Sequence, residues 1–204
     1  MIQGRENISA TKADKFMDLI QSAASCSTRF EVLDLALHHI PNQGLVCEFG
    51  VFEAESINYI AEQLPRRYIF GFDSFEGLPE FWRPTFEPGA FSTGGCLPDV
   101  QPNVRLLKGW FDATLPAFTA ENAGPVAFLH IDCDLYSSTK CVFEHLGDWL
   151  VPGSVIVFDE FFNYPGWEDH EFRAFSEFAE ARRLNYEYLA YNSRHEQVAM
   201  RVTA

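Results

Sequence analysis

Four carboxylates follow two apolar runs of this sequence, and they are the residues best placed to do chemistry. Asp132 and Asp134 follow the run Phe-Leu-His-Ile, and Asp159 and Glu160 follow the run Val-Ile-Val-Phe. Short apolar runs of this kind are typical of buried parallel strands, and open α/β sheets bind their ligands at the carboxyl ends of such strands. Since neighbouring strands lie about 4.8 Å apart, Asp132 and Asp159 could share a cation if their strands are adjacent.

The ligand chemistry of such a cluster favours a hard cation. Carboxylates without His or Cys among them select Mg²⁺ or Ca²⁺. Acids this close would raise one another's pKa, and a bound cation removes that cost. An alternative stays open, because Asp134 and Asp159 could instead cap the helices that follow their strands.

The turn after an earlier apolar run suits a nucleoside without phosphates. A dinucleotide fingerprint needs three glycines, whereas only Gly50 is present here, and Glu53 and Glu55 would repel a diphosphate. S-Adenosylmethionine fits better, because it has adenine and ribose, no phosphate, and positive sulfonium and ammonium groups. Asp73 lies 25 positions after Glu48, close to the roughly 20-residue interval at which an acid meets ribose hydroxyls. Alternatively, Asp73 caps the turn that it begins.

A third turn reads Gly109-Trp-Phe-Asp112. It places two aromatic side chains and an acid where an adenine ring would lie. Packing of Trp110 or Phe111 in the hydrophobic core is an equally open interpretation.

Strand-like and helix-like runs alternate from residue 44 onward, and this alternation must position the acids. Seven strands are predicted, at about 45–50, 68–73, 104–108, 126–132, 154–159, 186–191 and 197–202. The last two flank an Asn-Ser-Arg turn, as an antiparallel hairpin would. The pattern predicts an α/β fold, a Rossmann-like, doubly wound and mostly parallel seven-stranded sheet with a C-terminal antiparallel hairpin.

Two segments stand outside this alternation. Residues 1–42 are predicted as a helical lead-in, with helix starts at Thr11 and Thr28, and the whole of 1–204 as one domain. Residues 74–102 are rich in Pro, Gly and aromatics, which favours a lid or substrate loop over a packed surface insertion.

Composition excludes several classes of partner. The net charge of −14 over 204 residues leaves no basic stripe for nucleic acid or an anionic membrane. The five cysteines include no C-x-x-C pair, which is typical of reduced thiols. The first residues lack the apolar run of a signal peptide, and no stretch reaches membrane-spanning length, so a cytoplasmic protein is expected.

These motifs together resemble the macrocin O-methyltransferase family. The resemblance rests on five runs, of which Asp-Ser-Phe-Glu-Gly-Leu-Pro is the most specific: Glu48 to Val51, Asp73 to Pro79, Gly109 to Pro116, Asp132 to Thr139, and Asp159-Glu160. It implies a class I S-adenosylmethionine-dependent methyltransferase that acts on a hydroxyl of a small molecule, a sugar or another natural-product-like acceptor.

The resemblance also implies roles for individual residues. Asp132, Asp159 and Glu160 would bind Mg²⁺, and Asp134, with Asp132 beside it, would carry the catalysis as the base that takes the hydroxyl proton. The candidate cofactor contacts are Glu48, Gly50, Ser56, Asp73, Ser74, Trp110, Asp112 and Asp132.

The sequence departs from the family pattern at two places. The family usually has an Asp pair where this chain has Asp159-Glu160, and Arg and Gly residues where this chain has Glu53-Ala-Glu55. Two other functions therefore stay open, a metal-dependent hydrolase that uses the same acids and a non-catalytic relative that binds the nucleoside. A homo-oligomer is also compatible with the sequence.

Overall fold

The first two helices begin at the threonines that the sequence predicts as caps. In the computed structural model, which describes residues 11–204, Thr11 and Asp14 form a reciprocal capping box at the start of α1, Lys12–Ile20. Helix α2, Arg29–His38, starts after Thr28, whose hydroxyl accepts the backbone N–H of Glu31. Both predicted starts are confirmed, and residues 1–10 of the predicted lead-in lie outside the described residues.

All seven predicted strands are present, and they share one sheet with an eighth. The predicted strands are β2 Leu45–Phe49, β3 Ile69–Asp73, β4 Val104–Lys108, β5 Val126–Ile131, β6 Leu150–Phe158, β7 Tyr186–Asn192 and β8 Val198–Val202. The strand order is β1-β7-β8-β6-β5-β2-β3-β4, with β8 antiparallel to β6 and β7 and the other pairs parallel. Since β3 lies on one side of β2 and β5 on the other, the chain changes direction across the sheet between β2 and β5. This switch point is where open α/β sheets place their ligands.

The eighth strand, β1, corrects the predicted strand count and the purely helical lead-in. It covers only Ala24–Cys26 and pairs in parallel with the edge strand β7. A three-residue strand of small residues has no alternation to detect and weak intrinsic β preference. Its existence depends on a neighbour more than 160 positions away in the chain.

Helices cover both faces of the sheet, as the doubly wound prediction requires. The later helices are α3 Glu55–Gln63, α4 Phe111–Glu121, α5 Tyr136–Leu146 and α6 Glu171–Arg182. One buried cluster joins the sheet to α1, α4, α5 and α6, and the other joins it to α2 and α3. Every residue of β5 is buried, as expected of a central parallel strand. No helix in the described part of the chain is long and apolar enough to cross a membrane.

The segment 74–102 contains neither helix nor strand. Two of its apolar residues, Leu78 and Trp82, are buried against Leu135 and Tyr164 in a small cluster of their own. The segment therefore packs over the ends of β5 and β6, next to the acid-bearing turns.

Candidate functional site

A cavity of about 570 Å³ opens at the carboxyl ends of the central strands, a size typical of small-molecule sites. All but one of the predicted site residues line it. These are Gly50, Ser56, Asp73, Ser74, Trp110, Asp112, Asp132, Asp134, Asp159 and Glu160. The sheet topology explains this convergence, because β5 lies between β2 and β6.

Glu48 is the exception, since it does not line the cavity. Its side chain is fully buried within the fold. The hydroxyl of Ser56 donates to Glu48 Oε1 at 3.1 Å, and Nδ1 of His130 lies 2.8 Å from Oε2. Glu48 therefore supports Ser56, which does line the cavity.

The side chain of Asp73 joins the turn after β2 to the turn after β3. Its Oδ2 accepts the backbone N–H groups of Val51 at 2.8 Å and Phe52 at 2.9 Å. Its Oδ1 accepts the N–H of Phe75 at 2.7 Å, so the turn-capping alternative is also realised. A carboxylate has about four acceptor sites, so Asp73 keeps capacity for a ligand hydroxyl.

Gly50 allows the tips of β2 and β5 to approach each other closely. Its φ is +90°, and a Cβ at this position would lie 1.7 Å from the carbonyl oxygen of Asp132. The backbone N–H of Asp132 in turn donates to the carbonyl of Phe49. Only glycine fits here, and it holds the turn beside the acidic cluster.

The two aromatic residues after β4 have different environments. Trp110 is 42% exposed at the start of α4 and lines the cavity. Phe111 also lines the cavity, but it is half-buried and its ring packs edge-on against Phe49, with ring centroids 5.4 Å apart. The core-packing alternative therefore holds for the Phe111 ring and not for Trp110.

Asp132 and Asp159 meet as their adjacent strands predict, and His130 completes the group. Ligand atoms of these three residues all lie within 4.8 Å of one another, and Glu160 is not part of this group. Burial and the charge of Asp159 raise the pKa of Asp132 well above its usual range. Burial, followed by the same charge, also raises the pKa of Glu160.

His130 lies between two buried carboxylates, those of Glu48 and Asp159. Burial disfavours the charged imidazole, but the Asp159 and Glu48 carboxylates outweigh burial and raise the pKa of His130 to about 10. Its Nε2 lies 3.6 Å from Asp159 Oδ1, too far for a hydrogen bond. Burial would likewise raise the pKa of Asp159, but His130 and Arg29 beside it lower that pKa.

Two unpaired carboxylate oxygens suit the acidic cluster to a hard cation. Oδ1 of Asp159 and Oε2 of Glu160 are buried without a hydrogen-bond partner among the described residues. A buried acceptor left without a partner costs roughly 1–3 kcal/mol. A cation held by Asp132, Asp159 and Glu160 would remove this cost and would offset the burial and the repulsion that raise the pKa values of Asp132 and Glu160.

Asp134 sits at the centre of a tight turn. Its φ is +63°, and the N–H of Leu135 donates to the carbonyl of Cys133 across it, which makes a strained three-residue γ-turn. The side chain is 7% exposed. Burial raises the pKa of Asp134 to about 7, a value suited to proton transfer at neutral pH.

Glu171, in the first turn of α6, belongs to the site although the sequence pattern does not reveal it. It is fully buried. Its Oε1 accepts the backbone N–H groups of Cys133 at 3.4 Å and Asp134 at 3.2 Å, and its Oε2 accepts that of Glu160 at 3.3 Å. In the sequence it is an ordinary acid at a helix start, because its partners lie up to 38 positions away.

Arg29 is the second residue of the candidate site that sequence reasoning missed. It belongs to the first turn of α2, and the sequence pattern there indicates only where the helix starts. In the structure Arg29 lines the cavity. Its guanidinium nitrogens lie 3.8 Å from Asp159 Oδ2 and 3.8 Å from Glu55 Oε2. The lead-in thus reaches the site across the β6 end of the sheet.

Comparisons with known proteins agree with the sequence resemblance. Residues 90–190 match the model of the macrocin-O-methyltransferase family, TylF. The 8-demethyl-8-(2,3-dimethoxy-alpha-L-rhamnosyl)-tetracenomycin-C 4'-O-methyltransferase of Streptomyces olivaceus is 32% identical over 113 residues, which cover 47% of this chain and 42% of that protein. The chain therefore matches less than half the length of this relative.

Two solved structures share the fold. CalS11, the calicheamicin methyltransferase, superposes with a TM-score of 0.68 at 23% identity, over 95% of this chain and 87% of that one. The MycE methyltransferase of the mycinamycin pathway, solved with Mg and S-adenosylhomocysteine (SAH), gives 0.54 at 14% identity, over 83% and 48%. The Rossmann-like fold predicted from the sequence is confirmed.

Proposed function

We propose, because residues 90–190 of this chain match the model of the macrocin-O-methyltransferase family, that the protein is an S-adenosylmethionine-dependent O-methyltransferase. Its acceptor is a hydroxyl of a small molecule, a sugar or another natural-product-like compound. The observation that carries the proposal is the position of Asp134. Its carboxylate lies on the wall of the cavity beside the acidic cluster, and burial raises its pKa to about 7.

Asp134 is the proposed general base. A hydroxyl must lose its proton as it accepts a methyl group, and a carboxylate with a pKa near neutrality accepts that proton efficiently. The turn that strains Asp134 also fixes it, because Glu171 holds its backbone N–H. A base held in one position contributes orientation as well as proton transfer.

We propose that a divalent cation binds to Asp132, Asp159 and Glu160. Mg²⁺ is the expected ion, because carboxylate oxygens are hard ligands that favour hard cations. Nε2 of His130 lies 3.6 Å from Asp159 Oδ1, so His130 borders the proposed cation site. When bound, the cofactor would supply the methyl group, and the cation would lower the pKa of the acceptor hydroxyl.

The adenosine end of the cofactor belongs at the β3 and β4 side of the cavity. Asp73 has free acceptor capacity for ribose hydroxyls, and Ser74 lies next to it on the wall. Trp110 offers an exposed ring to the adenine of the cofactor, and Asp112 offers it a carboxylate. Glu48 acts on this end indirectly, by orienting Ser56.

Segment 74–102 is the proposed lid over the acceptor. It contributes Leu78, Pro79 and Phe91 to the wall of the cavity. Phe52 and Phe91, each 38% exposed, contact each other edge-on at 5.7 Å. These apolar surfaces suit an acceptor with a hydrophobic face next to its hydroxyl.

The test combines binding and turnover on the purified protein. Calorimetry with SAH should show one stoichiometric site. Incubation with S-adenosylmethionine, Mg²⁺ and a panel of sugar and polyketide hydroxyls should then yield a methylated product by mass spectrometry. Binding without methylation of any acceptor would favour the non-catalytic relative, and hydrolysis of an ester without nucleoside binding would favour the hydrolase.

A further inference from the structure

Arg29 has a cationic head group that the described residues do not satisfy. Its Nε is buried and has no hydrogen-bond partner among them. Its two terminal nitrogens lie 3.8 Å from Asp159 and Glu55, which is ion-pair distance but beyond hydrogen-bond length. A guanidinium has five N–H donors in a planar fork, so this side chain can bind a planar anion such as a carboxylate.

The charge of the cavity makes this position distinctive. Arg29 is the single Lys or Arg among the described residues of the wall. The carboxylates of the same wall are Glu53, Glu55, Asp73, Asp112, Asp132, Asp134, Asp159 and Glu160. An anionic group that enters this cavity is therefore repelled at most of the wall and attracted at Arg29.

The turn after β2 brings no cation to the cavity. It reads Glu53-Ala-Glu55, and both of its carboxylates line the wall. Glu55 lies 3.8 Å from Arg29 and precedes Ser56, so α2 brings its cation to the start of α3. Arg29 lies beside Asp159 at the end of β6, and β6 is on the opposite side of β2 from β3 and β4, the strands that lead to Asp73 and Trp110.

We infer that Arg29 binds the α-carboxylate at the methionine end of S-adenosylmethionine, and that Glu55 beside it receives the α-ammonium group. This assignment rests on the proposed function. It makes Arg29 a cofactor-binding residue contributed by the lead-in, with no role in proton transfer. It also explains how an acidic first turn is compatible with a zwitterionic ligand.

The experiment compares two ligands that differ only at the amino-acid end. SAH carries the carboxylate and ammonium groups, whereas 5'-methylthioadenosine carries neither. In Arg29→Gln, SAH affinity by calorimetry should fall by roughly 10- to 100-fold, the loss of a charge-assisted bidentate contact. Affinity for 5'-methylthioadenosine should change by less than about twofold, the range of an unaffected site, and its binding shows that the variant is folded.

Two further variants sharpen the comparison. Arg29→Lys keeps the charge without the fork, so its SAH affinity should fall between wild type and Arg29→Gln. Arg66→Gln removes the same charge at an exposed position away from the cavity and should leave both affinities unchanged. Equal losses for both ligands in Arg29→Gln, or no loss for either, would overturn the assignment while the proposed function stands. Failure of the wild-type protein to bind SAH would instead overturn the proposed function.

Discussion

The carboxylate of Glu171 on α6 accepts the backbone N–H of Asp134 at 3.2 Å, across 37 positions of the chain. The same side chain accepts the N–H of Glu160 at 3.3 Å. One buried residue therefore joins the turns after β5 and β6, which carry the proposed base and the proposed cation ligands. The relative position of these two turns depends on a helix that contributes no residue to the cavity wall.

Glu171→Ala should separate catalysis from cofactor binding. The variant leaves three backbone donors without their acceptor, at roughly 1–3 kcal/mol for each that stays buried. We expect a loss of stability of that order by urea unfolding and a kcat at least tenfold lower, because Asp134 is no longer held. SAH affinity should stay near that of the wild type. Glu168→Ala, at an exposed acid just before α6, is the matched control. Unchanged kcat in a folded Glu171→Ala variant would contradict the role.

Arg83 should hold segment 74–102 in place. Its guanidinium lies 3.8 Å from the centre of the Trp82 ring and 4.5 Å from that of Tyr164, and Nη1 donates to Glu196 at 3.0 Å. Arg83→Ala removes the stacking, worth about 0.5–2 kcal/mol, and the ion pair. Limited proteolysis should then cut within 74–102 faster, and the KM for the acceptor should rise. Arg105→Ala, which removes an exposed stack on Tyr68, is the control. Equal proteolysis rates for both variants would refute the anchoring role.

The sequence predicted the sheet and the acidic cluster at the ends of its strands because both depend on local patterns. Apolar runs bounded by turn residues identify β5 and β6, and adjacency then places Asp132 beside Asp159. The same patterns could not reveal Glu171 or Arg29, because each acts through contacts with distant segments rather than through its own neighbours. Strand β1 escaped for the same reason, since its pairing with β7 alone defines it.

For Glu48, the role that the resemblance implies differs from the contacts that its side chain makes in the structure. The resemblance assigns Glu48 to the cofactor, while its side chain is fully buried between Ser56 and His130. Periodicity cannot tell which face of a strand a side chain will take when both faces are buried. The position of Glu48 was predictable, and its partners were not.

Gly50→Ala should destroy the site by a backbone effect. The positive φ costs an alanine about 1–2 kcal/mol, and its Cβ would lie 1.7 Å from the Asp132 carbonyl oxygen. The tips of β2 and β5 must then move apart. We expect a lowered melting temperature and loss of SAH binding by calorimetry. Gly124→Ala is the matched control, because no atom lies within 4 Å of its added Cβ. A stable, SAH-binding Gly50→Ala variant would show that the close approach is dispensable.

Metal removal should abolish turnover while leaving the cofactor site intact. Asp159 and Glu160 each have a buried oxygen without a hydrogen-bond partner among the described residues, and burial and the charge of Asp159 raise the pKa of Asp132. We therefore expect these acids to act together only with a cation bound. Dialysis against chelator should lower kcat by about 100-fold or more, the equivalent of several kcal/mol, and added Mg²⁺ should restore it. Asp132→Asn should lose turnover without rescue by Mg²⁺, yet bind SAH. Asp112→Asn, at the proposed adenosine end, should show the converse, with weaker SAH binding and a metal response like that of the wild type. Activity that survives both the chelator and Asp132→Asn would rule out a metal-assisted mechanism.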